Sequence, residues 1–118
     1  PHIGHAYTSL AADVLARFKR LDGYDVHFLT GTDEHGQKVM KAAEKAGKHP
    51  KQYVDEFAVH FREMAKIMGF SNNDFIQTTE PRHIKGAQAF WQRIAEKGHI
   101  YSGTYAGWYS MRDEAYYQ

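Results

Sequence analysis

Between Ala6 and Leu21 the apolar residues Leu10, Val14, Phe18 and Leu21 recur at spacings of four, four and three, and Ala11 and Leu15 widen the stripe. That period puts them on one face of a helix and predicts an amphipathic helix over Ala6 to Leu21. Arg17, Lys19 and Arg20 suit its negative pole, and Gly23 can take the left-handed conformation that stops it. Asp25 to Thr30, rich in β-branched and aromatic residues, predicts a strand, with Gly31 to Gly36 as a loop at its carboxyl end. Two further helices follow, Gln37 to Ala46 with Gly47 as its stop, and Pro50 to Met68 with Gly69 as its stop. In the second, Tyr53, Val54, Phe57, Phe61 and Met64 keep the helical period. Phe75 to Thr79 predicts a second strand. Pro81 then opens a helix ending near Gly98, on which Ile84, Ala87, Phe90, Trp91 and Ile94 make an inward face. Trp91 therefore reads as packing, and Met40, Met64, Met68 and Met111 as core positions. From Ile100 to Tyr109 aromatics and glycines alternate, as in a short strand or hairpin leaving the helical layer.

Helix, strand, loop, helices, strand, helix is the order of an α/β fold, a parallel sheet whose crossover helices cover its faces. Two parallel strands are too few to stand alone, and a glycine beside the start of the first helix predicts a strand before Pro1. The opening Pro1, where a translated chain starts with Met, leads to the same expectation, that these residues are a piece of something larger. The 118 residues carry 15 Lys plus Arg against 14 Asp plus Glu, a formal charge of +1, which argues against a simple basic clamp for nucleic acid. Hydrophobic residues at 42% and charged residues at 25% exclude disorder as the main reading. No apolar run approaches the ~20 residues that cross a bilayer, and no basic-then-apolar leader is expected here. With no cysteine there is no disulfide and no thiolate metal site, as suits a reducing compartment.

Two segments carry candidate chemistry. His2-Ile3-Gly4-His5 falls at the amino end of the first helix, where unpaired N–H groups and the helix dipole favour an anion such as phosphate. Two imidazoles there can donate to triphosphate oxygens as negative charge builds, and Gly4 has no side chain to keep a flat base off the backbone. The plainer alternative is a pair of surface histidines at a helix start. Thr30-Gly31-Thr32-Asp33-Glu34-His35-Gly36 sits at the carboxyl end of a strand, where open parallel sheets bind ligands. There Asp33 can pair with an ammonium and His35 can hydrogen-bond a substrate or phosphate; a simple cap for the following helix is the alternative. A metal site from His2, His5, His27 and His35 is disfavoured, because none of these pairs has the i, i+4 spacing with an adjacent Glu that hydrolytic zinc helices use. His49, His60, His83 and His99 fall near helix ends or polar faces, as solvated or capping imidazoles do.

The set as a whole resembles the methionine branch of the class I aminoacyl-tRNA synthetases. His2-Ile3-Gly4-His5 is similar to the family's HIGH signature, and Thr30 to Gly36 is similar to the loop of the methionine enzyme. The likeness continues through Ala11 to Phe18, Lys41 to Gly47, Asp74-Phe75-Ile76 with Thr78-Thr79, and Gly107-Trp108-Tyr109. It implies a Rossmann-like catalytic domain that activates methionine with ATP to methionyl-adenylate and transfers it to the methionine tRNA in the cytoplasm. Carried over residue by residue, His2 and His5 contact the ATP phosphates, Gly4 lies against the adenine, Asp33 holds the methionine ammonium, and His35 is a further candidate in that pocket. Magnesium accompanies the triphosphate as substrate.

The resemblance also implies what these residues lack: the family's first strand, expected before Pro1, and its lysine-bearing KMSKS loop downstream. The segment by itself is therefore expected to be inactive. Residues 1–99 correspond to part of the catalytic domain and 100–118 to the start of an inserted connective-peptide domain. Many members place zinc-binding cysteines after the Gly-Trp-Tyr position, where this chain has Ser110-Met111-Arg112-Asp113-Glu114. A form without that zinc is expected, with Arg112 pairing Asp113 or Glu114 in its place. The alternatives are a non-catalytic nucleotide-binding α/β module and one that activates a different substrate. The residues carry no signal for oligomeric state.

Overall fold

The apolar period places the start of the first helix at Ala6, but the backbone turns three residues earlier. His2, with extended dihedrals of φ −136° and ψ 175°, caps the helix. Its Nδ1 accepts the Gly4 N–H at 3.1 Å, while His5 Nδ1 accepts the His2 N–H at 3.1 Å. This reciprocal box satisfies donors that a helix start leaves open, so α1 runs over Ile3–Leu21. A computed structural model describes residues 1–117, and Gln118, the last residue of the expected 100–118 segment, lies outside the described residues. After α1 come β1 (Leu29–Thr32), α2 (Gln37–Lys45), α3 (Pro50–Ile67), β2 (Asp74–Gln77), α4 (Pro81–Glu96), β3 (Trp108–Ser110) and β4 (Ala115–Tyr117). The glycine stops at Gly23, Gly47, Gly69 and Gly98 all have positive φ, as their positions predicted. His49 caps α3, its Nδ1 accepting the Lys51 N–H at 3.3 Å.

β1 and β2 pair in parallel, Leu29 opposite Asp74 and Thr32 opposite Gln77, with α2 and α3 as the crossover between them. The first strand lies further along the chain than the expected Asp25 to Thr30. Phe28 gives its N–H to Asn73 Oδ1 at 2.8 Å and accepts the Asn73 N–H at 2.8 Å, so ladder pairing begins only at Leu29. Gly31 is demanded by the strand contact, because a Cβ there would stand 2.0 Å from the carbonyl oxygen of Ile76.

The core is small: Phe28 and Phe75 from the strand region, Ala43 from α2, Val54, Ala58 and Ala65 from α3, and Ala16 from α1. The predicted apolar stripe of α1 instead faces outward, Leu10, Val14 and Phe18 being 43%, 59% and 58% exposed, while Asp13 and Ala16 are buried. Polar docking decides this orientation. Arg17 donates to the Gly69 carbonyl at 2.6 Å, Arg20 to Ser71 Oγ at 2.6 Å and Asn73 Oδ1 at 2.8 Å, and Asp13 accepts from Ser71. Likewise the expected inward face of α4 is uncovered among the described residues: no residue of α4 is buried, and Trp91 is 64% exposed. Met40 and Met68 are exposed as well, not core. Two four-residue strands offer too narrow a sheet to cover four helices. The radius of gyration, 17.7 Å, accordingly exceeds the ~13.5 Å of a compact domain this long.

β3 and β4 form a separate antiparallel hairpin, with Tyr116 edge-on to Tyr105 at 5.0 Å between ring centroids. Its turn docks on α2, where Lys38 Nζ meets Glu114 Oε2 at 3.0 Å. The expected pairing of Arg112 is not formed: Glu114 is taken by Lys38, and Asp113 accepts from Ser110 Oγ at 2.7 Å. Among the described residues no helix is long and apolar enough to cross a membrane.

Candidate active site

The carboxyl end of β1 and the amino end of α1 meet at one cavity of about 420 Å³, a size that holds a small molecule. His5 of α1, Gly31 and Thr32 of β1, Asp33 and Glu34 of the loop, and Lys38 of α2 supply its polar lining. Val39 of α2 and Tyr53, Val54, Phe57 and Phe61 of α3 make its apolar wall. A second cavity of about 240 Å³ adjoins it, sharing His5, Gly31 and Phe61 and adding Thr8 and Ser9 from the first turns of α1. His5 therefore stands between an apolar-walled chamber and a groove along the start of a helix. Its ring packs edge-on against Phe61, 5.0 Å between centroids, which fixes α1 relative to α3.

The capping box also sets the chemistry of the two imidazoles. Because Nδ1 of each ring accepts a backbone N–H, the proton of each neutral ring is assigned to Nε2, leaving an Nε2–H free to donate to an anion. The rings stand 3.8 Å apart. Desolvation of the ring, and then repulsion from His2, hold the His5 pKa below its ordinary value. Gly4 lacks a side chain on the face where His2 folds over it: a Cβ there would stand 2.9 Å from the His2 ring.

Of the residues expected to act, His5 and Asp33 reach the same cavity, with Asp33 exposed at its rim. His2 and Gly4 lie beside it at the helix start, outside its lining. His35 is also outside the lining, held by a hydrogen bond between Nε2 and the Thr78 carbonyl at 3.2 Å. Glu34, between the two candidate loop residues, was assigned nothing by sequence reasoning and is 5% exposed. Its carboxylate accepts from Thr32 Oγ1 at 2.7 Å, from Gln77 Nε2 at 2.9 Å and from Thr79 Oγ1. Burial alone would push the Glu34 carboxyl up, but the hydrogen bonds from Thr79, Thr32 and Gln77 outweigh it and hold the group below the usual range. The signal was period two: the alternation of β1 continues past Thr32, so a residue between two outward side chains points inward. Among the described residues no three His, Asp or Glu converge into a set able to hold a metal ion.

A family described as tRNA synthetases class I (M) matches residues 1–118, the whole chain. The chain belongs to that family. The methionine–tRNA ligase of Rhizobium meliloti is 55% identical over 118 residues, all of this chain and 23% of the relative. That of Rickettsia bellii is 56% identical over 117 residues, 99% of this chain and again 23% of the relative. A solved Mycobacterium tuberculosis methionyl-tRNA synthetase in complex with methionyl-adenylate superposes with a TM-score of 0.89 at 46% identity, covering 99% of this chain and 23% of that one. The chain thus spans about a quarter of the length of the relatives it matches. Its parallel pair and crossover helices, which the order of elements predicted, are part of the Rossmann-like catalytic fold of class I synthetases that the resemblance implied.

Proposed function

We propose that the protein carrying this chain is a methionine–tRNA ligase, which couples methionine to ATP and passes the aminoacyl group to tRNA. The observation that carries this reading is the shared cavity: His5, Gly31 and Asp33, from three separate segments, line one chamber with an apolar wall. A 46% identical relative was solved with methionyl-adenylate bound, and this supports the choice of substrate.

In the first step a methionine carboxylate oxygen attacks the α-phosphorus of ATP, the bond to the bridging oxygen breaks, and pyrophosphate leaves. A ribose hydroxyl at the tRNA 3′ end then attacks the activated carbonyl, and AMP departs. The work for this chain is placement and charge stabilisation. His2 and His5, with Nε2–H free, donate to the ATP phosphates, and Gly4 accommodates the adenine. Asp33 takes the methionine ammonium at the cavity rim, and the α3 wall faces its apolar end. His35, tied to the Thr78 carbonyl, stiffens that pocket. Magnesium enters with ATP as part of the substrate, no structural zinc is used by this segment, and protein synthesis places the enzyme in the cytoplasm. Residues 1–99 belong to the catalytic domain, and 100–118 begin an inserted domain, a division that the separate β3–β4 hairpin supports.

The test is pyrophosphate exchange into ATP by the full-length protein, offered methionine and then leucine, isoleucine, valine and cysteine. Exchange should require methionine and collapse in His5→Ala. In Asp33→Ala, loss of a charge-assisted contact should raise the methionine KM by about 10- to 100-fold. Folded protein that exchanges with none of these amino acids refutes the reading and leaves a non-catalytic or differently specific nucleotide-binding module.

A further inference from the structure

The loop that carries Asp33 is tied to the segment around the end of β2 by the Glu34 carboxylate and by the His35 Nε2 contact to the Thr78 carbonyl. Ladder pairing of β1 ends at Thr32, and Gly36 follows with φ +112°, a conformation glycine adopts without steric cost. Between those points Asp33 and His35 are exposed and Glu34 is buried. The Glu34 carboxylate is committed to Thr32, Gln77 and Thr79, and its backbone N–H donates to Thr78 Oγ1 at 3.0 Å. Both strands of the parallel pair therefore grip one side chain at their carboxyl ends. Gln77 extends the hold, donating also to Asp55 Oδ1 at 2.9 Å on the helix that forms the cavity wall.

We propose that Glu34 is a positioning residue which sets the amino-acid affinity of the site by holding Asp33 on the cavity rim; this rests on the reading above, in which Asp33 takes the substrate ammonium. The alternation of exposure along Asp33, Glu34 and His35 supplies the mechanism: with Glu34 pinned inward, its neighbour Asp33 is turned outward. Once Glu34 is released, Asp33 samples orientations that cannot meet the ammonium, and the cost falls on amino-acid binding. The ATP contacts at His2 and His5 are on another element and are spared. Glutamine in place of Glu34 keeps one oxygen for Thr32 and Gln77, and its amide can donate to the Thr79 hydroxyl, so most of the grip survives.

The experiment is the same exchange assay on full-length protein, with separate KM values for methionine and ATP and a melting curve for each variant. Glu34→Ala should raise the methionine KM by about 10- to 50-fold, the scale of a lost oriented charged contact, and leave the ATP KM within about twofold. Glu34→Gln should restore most of the affinity, and Thr79→Val, which removes one grip at constant volume, should fall between. Because the effect runs through Asp33, Asp33→Ala/Glu34→Ala should bind methionine no more than about threefold worse than Asp33→Ala alone. Multiplying effects, a parallel rise in both KM values, or an unchanged methionine KM in folded Glu34→Ala would each overturn the proposal. Should Glu34→Ala not fold, Thr79→Val decides by the same criteria. Wild-type protein without amino-acid-dependent exchange removes the functional reading and this proposal together, whereas normal wild-type exchange with indifferent Glu34 variants removes this proposal alone.

Discussion

Asp13 is the strongest electrostatic anchor of α1, and its removal has a calculable cost. The residue is 4% exposed, its Oδ1 accepts both the N–H and the hydroxyl of Ser71 at 2.6 Å, and its Oδ2 accepts from Arg17 Nε at 2.7 Å. Burial pushes this carboxyl up, but Ser71 and Arg17 pull harder and bring it from 3.8 down to about 2. A gap of that size corresponds to about 2 kcal/mol of preference for the charged form in the folded state. Because the folded value lies below the unfolded one, the stabilisation is complete above about pH 5 and drains away as pH falls through 3.8 toward 2. Asp13→Asn should remove it at every pH. The readout is hydrogen exchange of the Ser71 amide in the full-length protein, normalised for the intrinsic rate. Protection in the variant should fall by about 30-fold at neutral pH, the equivalent of about 2 kcal/mol, and wild-type protection should decline between pH 5 and 2. Variant protection within about threefold of wild type, or a flat wild-type profile down to pH 2, would refute the electrostatic account of how α1 is seated.

Two further predictions concern backbone approach and protonation. Gly31→Ala places a methyl group 2.0 Å from the Ile76 carbonyl oxygen, so β2 must move away; soluble yield and near-UV circular dichroism should both fall, and a wild-type spectrum with normal exchange activity would count against the close approach. The His5 ring should titrate with a midpoint below 6.5, by desolvation first and the neighbouring His2 second, and His2→Asn should move that midpoint upward. Proton NMR of the ring Cε1–H follows both, and a wild-type midpoint at or above 6.5 would contradict the desolvated, closely paired setting of the His5 ring.

The elements of this fold were readable where local rules decide. Prolines at the starts of α3 and α4, glycines at four helix ends and the apolar period of α3 place those helices within a residue or two of where they lie. The facing of helices was not readable in the same way. Periodicity says that Leu10, Val14 and Phe18 share a side of α1, but which side meets the rest of the chain is decided by Asp13, Arg17 and Arg20 reaching residues more than fifty positions away. The same holds for Trp91, whose stripe is real and whose cover is absent among the described residues. In the candidate site, motif spacing picked out His5 and Asp33, which line one cavity because each sits at an element end. Glu34 was open only to the two-residue alternation carried on from β1, since its partners Gln77 and Thr79 are over forty residues off.

The parallel pairing of β1 with β2 joins residues 45 positions apart, Leu29 with Asp74. A contact of that sequence separation has kinetic consequences. At ribosomal speeds of roughly 5–20 residues per second, the first strand leaves the exit tunnel about 2–9 s before its partner is complete. During that interval α2 and α3, whose association needs only the short turn between them, can already have closed on each other, since helix pairing takes microseconds to milliseconds. The helical pair then acts as a template, shortening the loop that the second strand must close and lowering its entropic cost. Birth order thus makes the cavity wall first and its chemical rim last, and the anchoring carboxylate of the loop can find its partners only when the second strand arrives.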